Sequence, residues 1–149
     1  MSNKDLPITF KSSDPTILSK DGSIASINGA GVVNITAMQL GTNNYNQAEA
    51  QVKLVIDKAI LTASAVNMSR PYGDENPKFT INYNGFVNGD SEYDFAQTPT
   101  IVCNASKTSN VGDYDITIPE VTDNNYNIIF QKGVLNIQKA PLKVSLMIK

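Results

Sequence analysis

Three carboxylates, Asp90, Glu92 and Asp94, fall at alternate positions just after Asn88-Gly89. Oxygen-rich spacing of this kind can gather ligands around Ca²⁺, a hard cation that prefers oxygen. The full ligand loop with its terminal bidentate glutamate is lacking, so an acidic, well-solvated turn is the simpler reading. Tyr72, Tyr83 and Tyr93 offer aromatic faces on which sugar rings stack, against the competing use of tyrosine in cores and turn anchors. Cys103 closes the apolar run Ile101-Val102 and reads as a buried, inert thiol. The chain has no histidine, so the commonest general base and metal ligand is missing. With one cysteine as well, a structural zinc site is excluded. No serine or threonine is singled out beside a lysine or aspartate base. These residues predict a non-enzyme without cofactor.

The segments that must carry these side chains read as strands. Phe79, Ile81 and Tyr83 alternate with polar residues, as do Tyr114, Ile116 and Ile118. Nearer the N-terminus, Val33, Ile35 and Ala37 alternate in the same way, followed by Val52, Leu54 and Ile56. Successive strand side chains point to opposite faces, so each segment offers one apolar face to a core. Asp21-Gly22 and Asn28-Gly29 are two-residue hairpin signals, because both positions tolerate positive φ. Gln131-Lys132-Gly133 predicts a further hairpin, with glycine in the left-handed region. Pro71, Pro77, Pro99 and Pro119 fall at segment edges, where a missing N–H costs little. The one candidate helical turn is Asn88 to Phe95.

A repeat organises the whole. Asn-Asn-Tyr-Asn at Asn43–Asn46 recurs at Asn124–Asn127, an offset of 81 residues. Without a gap, the same offset pairs Gly31 with Gly112, Ile35-Thr36 with Ile116-Thr117, Leu54 with Leu135, and Lys58-Ala59 with Lys139-Ala140. It also sets Pro141–Lys149 against Ile60–Met68, with Leu142 on Leu61 and Ser145 on Ser64. Three parts are therefore expected: a truncated module over 1–59, a full one over 60–140, and the first strand of a following module over 141–149. Tyr45 and Tyr126, at equivalent places, are expected to bury their rings. The truncation predicts an uncovered sheet edge or core face in the first module, and 142–148 is a strand able to cover such a face in the same chain or in a neighbouring molecule, the latter giving a strand-exchanged dimer.

Composition narrows the setting. Net charge is −2 and the isoelectric point is about 5.0, which gives no electrostatic footprint for nucleic acid or an anionic membrane. The apolar runs are too short to insert in a bilayer. A single cysteine allows no intramolecular disulfide, so the modules must rely on their cores.

With those residues in view, the second module resembles the MBG domain (YGX type) of bacterial surface proteins. The resemblance rests on Tyr72-Gly73, Asp74-Glu75-Asn76-Pro77, the strand Phe79–Asn84, Gly85-Phe86-Val87-Asn88-Gly89-Asp90, Val111–Ile116, Asn125-Tyr126 and Leu135–Ala140. The first module is similar to the C-terminal part of a bacterial immunoglobulin-like repeat, through Leu6–Phe10, Ser12–Pro15, Gly29-Ala30-Gly31, Ile35-Thr36-Ala37 and Asn44-Tyr45-Asn46. The resemblance implies small all-β modules, of immunoglobulin-like sandwich type or, for the second, grasp-like. It also implies export and a cell-surface location, with neighbouring repeats as partners. The expected role is a structural spacer; the alternative is an adhesin module binding glycan or a host surface protein. It brings no shared catalytic or binding residue set.

Overall fold

The computed structural model describes residues 6–146. Two compact units divide the chain. The first holds the residues up to Ala59 together with Asn124–Asn127, and the second holds Ile60–Asp123 and the residues from Ile128 onwards. Both are all-β, as the period-two alternation requires.

The first unit runs β1 (Ile8–Ser12), β2 (Leu18–Asp21), β3 (Ile24–Ile27), β4 (Gly31–Gln39) and β5 (Ala48–Ile56). β4 is the central strand of a three-stranded sheet, antiparallel to β1 and β5. β2 and β3 form a separate hairpin that turns on Gly22 and Ser23, with Gly22 at φ 60°. Asn28-Gly29 makes no hairpin. Both backbone N–H groups instead donate to the Ile17 carbonyl, at 2.8 and 3.3 Å, which returns the chain beside β2. The strand register sets Phe10, Ala37 and Ala50 side by side, then Ile35 with Val52, then Val33 with Leu54. These residues share one face, and it is apolar. Of it only Val33 is fully enclosed, with Leu18 of the hairpin also buried; Phe10 stays 51% and Val52 63% exposed. Asn125 belongs to this unit, accepting from Ala30 N–H through its side chain and from Ala59 N–H through its carbonyl.

The second unit adds β6 (Ala59–Ala65), β7 (Met68–Pro71), β8 (Ile81–Asn84), β9 (Val102–Cys103), β10 (Gly112–Thr117), β11 (Tyr126–Gln131) and β12 (Gly133–Gln138). One sheet has the order β7-β12-β10-β9 and the other β11-β6-β8. Ala63 and Ala65 of the second sheet meet Ile116, Leu135 and Ile137 of the first in a single core, joined by Ala105 and Ile118. This is a two-sheet sandwich, with each strand burying alternate residues. Among the described residues the only helical turn is a 3-10 turn, Glu92–Asp94, so the grasp-like alternative, which sets a helix across a sheet, is not what forms.

Two strands change sheets side by side. β6 leads into β7 through Val66-Asn67, and β11 leads into β12 through Lys132. The expected hairpin at Gln131-Lys132-Gly133 is therefore not one, since β11 and β12 lie in different sheets. The glycine is there for space, not for a left-handed φ: a Cβ on Gly133 would stand 2.6 Å from the Ala65 carbonyl oxygen. Asn67 seals the crossing by accepting from Val134 N–H at 2.8 Å. Tyr126 enters β11 and is buried at 5% exposure. Tyr45, its repeat counterpart, is 48% exposed, because the same tetrapeptide there closes a turn in which Thr42 N–H donates to the Tyr45 carbonyl. The expected burial of Tyr45 fails for that reason. The paired glycines behave alike: Gly31 and Gly112 open β4 and β10 at φ 142° and 147°.

Arg70 is the one buried charged residue among the described positions, at 5% exposure. Its guanidinium donates to Asn76 Oδ1 at 2.8 Å, the Pro71 carbonyl at 3.2 Å and the Ser106 carbonyl at 2.6 Å. Asn76 in turn donates to the Ala105 carbonyl at 2.7 Å. The turn Tyr72-Gly73 is thereby clamped to the 105–106 loop, and Tyr72 N–H donates to the Gln138 carbonyl at 2.8 Å. Replacing Arg70 by Ala leaves several buried carbonyls without donors and should cost about 3 kcal/mol, read as a lower urea midpoint. Arg70→Lys keeps the charge but not the planar fork and should fall between the two. Glycine variants separate space from strain. Gly133→Ala forces backbone apart and should cost more than ~2 kcal/mol, whereas Gly73→Ala, at φ 90° in open space, should cost only ~1 kcal/mol.

Candidate functional site

β8 is an edge strand, paired only with β6 among the described strands. Its register sets Tyr83 against Ala63 and Ile81 against Ala65, so both side chains lean over the core. Gly85, at φ 117°, then turns the chain where any side chain would meet the Ile60 carbonyl. That turn folds Phe86 back onto Tyr83. Tyr83, Phe86 and Phe95 form a triangle of tilted rings, with centroids 5.4, 5.9 and 5.7 Å apart. Such tilted contacts suit the ring quadrupoles.

Between Phe86 and Phe95 runs the acidic loop. Asn88 (φ 58°) and Gly89 (φ 75°) make a left-handed turn, closed by Asp90 N–H donating to the Val87 carbonyl at 3.0 Å. Ser91 caps the 3-10 turn. The Asp94 carboxylate accepts from Ser91 N–H at 2.7 Å and from Ser91 Oγ–H at 3.0 Å, and Ser91 Oγ accepts from Tyr93 N–H at 3.4 Å. This is a capping box. It gives one of the three alternating carboxylates a structural partner, since Asp94 is engaged by Ser91; among the described residues no group of three acidic, cysteine or histidine side chains is placed to share a metal ion.

The loop leaves Tyr93 projecting, 85% exposed. Below it lies an open groove of about 350 Å³, lined by Ile81, Asn82, Tyr83, Phe86, Asp90, Ser91, Glu92 and Tyr93. A second, of about 490 Å³, lies on the other side of Tyr83 and Glu92 and is lined by Lys78, Phe79, Thr98, Pro99 and Ile101 among others. Burial, and secondarily the Glu92 carboxylate, push the Tyr83 phenol above its ordinary value, so it stays protonated and able to donate. The groove thus combines three aromatic rings, Tyr83, Phe86 and Tyr93, with an amide and two carboxylates. It can stack a ring and accept hydrogen bonds from its hydroxyls.

Four of the residues singled out by sequence, Tyr83, Tyr93, Asp90 and Glu92, therefore come together. Tyr72 does not: it sits 46% exposed in the turn after β7 and lines neither groove. Phe86 and Phe95 were the unrecognised members, and the signal for them was the glycine at Gly85, which folds the chain back on itself. Arg70 was missed as well, since nothing in its neighbourhood marks a strand arginine as inward-facing. Cys103 lies in β9, partly buried against the core.

No curated protein and no solved structure was found to match the chain. The family model described as MBG domain (YGX type) matches residues 61–136, from the start of β6 to the middle of β12. That stretch holds the sandwich core except Ile137, together with both grooves, and it is just over half of the sequence. On that match, and on the Tyr72-Gly73 turn clamped by Arg70, the chain belongs to the MBG domain (YGX type) family, whose members are repeat modules of bacterial surface proteins.

Proposed function

We propose that the chain is a non-catalytic spacer in an exported bacterial surface protein, and that its second unit is built to carry tension. The parallel pairing of β7 with β12 supports this reading: Met68 lies against Leu135, Ser69 against Asn136, Arg70 against Ile137 and Pro71 against Gln138. These are the early and the last strands of the unit. Tension applied at its two ends pulls parallel neighbours in opposite directions along their axes. The ladder bonds are then sheared together instead of being unzipped one by one. Arg70 and the Tyr72-to-Gln138 hydrogen bond lock the end of that ladder. Recurrence of the glycine-opened strand and the closing strand in the first unit fits a tandem array, in which each module passes load to the next.

Single-molecule stretching between residues 60 and 138 should show a discrete unfolding event. Arg70→Ala should lower its force. Pulling between residue 112 and residue 138, which unzips β10 from β12, should unfold the unit at a lower force than end-to-end loading. Equal forces in the two directions would remove the case for a load-bearing spacer.

A second reading has its own observation, the convergence of Tyr83, Tyr93, Asn82, Asp90 and Glu92 in one groove. It makes the module an adhesin that stacks a neutral sugar ring. Titration with neutral oligosaccharides should then move the amide resonances of residues 82–94, and Tyr93→Ala should abolish the shift while leaving thermal stability unchanged. Absence of any shift in the native chain leaves the spacer reading alone.

A further inference from the structure

The stretch from Pro141 carries an apolar stripe with nothing against it. Leu142, Val144 and Leu146 are 93%, 97% and 83% exposed, and they alternate with Lys143 and Ser145. The 81-residue repeat identifies what such a stripe does. Its counterparts Leu61, Ala63 and Ala65 lie on β6, where Leu61 and Ala63 are fully buried and Ala65 is 7% exposed. There Ala63 and Ala65 pack in one core with Ile116, Ile118, Leu135 and Ile137, on and just after β10 and on β12.

The first unit holds the counterpart of that face. Ile35, Ala37, Leu54 and Ile56 are the repeat positions of Ile116, Ile118, Leu135 and Ile137, on β4 and β5. In the second unit those positions are nearly solvent-free; in the first they are only partly covered, with Phe10 and Val52 open beside them. No described strand lies where β6 would. Beside this face the β2–β3 hairpin bounds a largely apolar groove of about 280 Å³, lined by Phe10, Leu18, Ala25 and Ile35. Among the described strands β2 and β3 pair only with each other.

We propose that residues 142–146 of one copy of this chain dock as a strand on the β1–β4–β5 face of another copy, in the role that β6 plays within the second unit. The side-chain volumes match in complement. The donor is larger than β6 at two positions, Val144 for Ala63 and Leu146 for Ala65, and the acceptor is smaller at one, Ala37 for Ile118. Val52 replaces Gly133, so the donor strand stands farther off the sheet than β6 does, and the longer side chains span the difference. Of the expected segment 142–148, residues 147 and 148 lie outside the described ones. The donor stretch and the acceptor face are different surfaces, so the contact is heterologous; reciprocal exchange closes a dimer and single exchange builds a chain. The docking is independent of whether the second unit bears load or binds sugar.

Sedimentation of the full chain at rising concentration tests this, together with a Leu142→Asp, Leu146→Asp double variant. The native chain should associate. The double variant should be monomeric with an unchanged melting temperature, because both residues are already in water. A labelled peptide of residues 141–149 should bind the double variant, and Val52→Asp added to it should weaken that binding at least ~tenfold, equivalent to about 1.4 kcal/mol. Ala50→Lys serves as the acceptor variant should circular dichroism show that Val52→Asp unfolds the chain. A native chain that stays monomeric overturns the proposal. So does association that survives the charged tail, or peptide binding indifferent to the acceptor variant.

Discussion

The second unit is held together by its last strand. β12 lies between β7 and β10, and its Leu135 and Ile137 are fully enclosed. Its two neighbours, Met68–Pro71 and Gly112–Thr117, lie far apart in sequence, and no disulfide joins them. Until β12 arrives, β7 has no partner and Ile116 has no floor. Closing such distant contacts carries a loop entropy that no local structure offsets, and it makes for slow, cooperative folding. The same constraint explains the investment in Arg70. A short parallel strand of four residues is a weak element, and a buried guanidinium with three carbonyl or amide acceptors fixes it where apolar packing alone is thin.

The two units show how one residue decides topology. Through the repeat offset, Gln131-Lys132-Gly133 corresponds to Ala50-Gln51-Val52. In the second unit the chain crosses from one sheet to the other there, and only glycine fits against the Ala65 carbonyl. In the first, Val52 occupies that place and Ala48–Ile56 runs on as a single nine-residue strand beside β4. A related stretch thus makes a sandwich corner in one case and a straight edge strand in the other. The first unit consequently encloses little, with Leu18 and Val33 as its buried apolar side chains up to Ala59.

Alternation was the legible part of the fold. Val33-Ile35-Ala37, Val52-Leu54-Ile56 and Tyr114-Ile116-Ile118 all set their apolar side chains on one face, because strand periodicity is a local property of the backbone. The pairing of Gly31 with Gly112 was legible through the repeat, and both take a similar positive φ. What depends on a distant neighbour was not. Gly133 reads as a turn glycine until β6 is placed against it, and Asn28-Gly29 reads as a hairpin until the Ile17 carbonyl is found. Tyr45 and Tyr126 sit in identical tetrapeptides and differ tenfold in exposure, since burial belongs to the surroundings. The site was half legible: its tyrosines and carboxylates could be named, but their meeting depends on the fold-back at Gly85 and on the Ser91–Asp94 cap.

The layout of the second unit keeps the parallel β7–β12 ladder apart from the exposed groove. Under the proposed end-to-end tension, load would pass through β6 and β7 on one side and β12 on the other, across the Met68–Pro71 ladder. β8 hangs from β6 alone, and the loop from Gly85 to Phe95 hangs from β8. That loop is fixed by its own ring triangle and its own cap. Changes in Asn82, Asp90, Glu92 or Tyr93 therefore alter the groove without touching the sheared ladder or the Arg70 clamp. The two proposed roles, mechanical and adhesive, would therefore not compete for the same residues: one would draw on the Met68–Pro71 ladder with β12, the other on the groove beside β8.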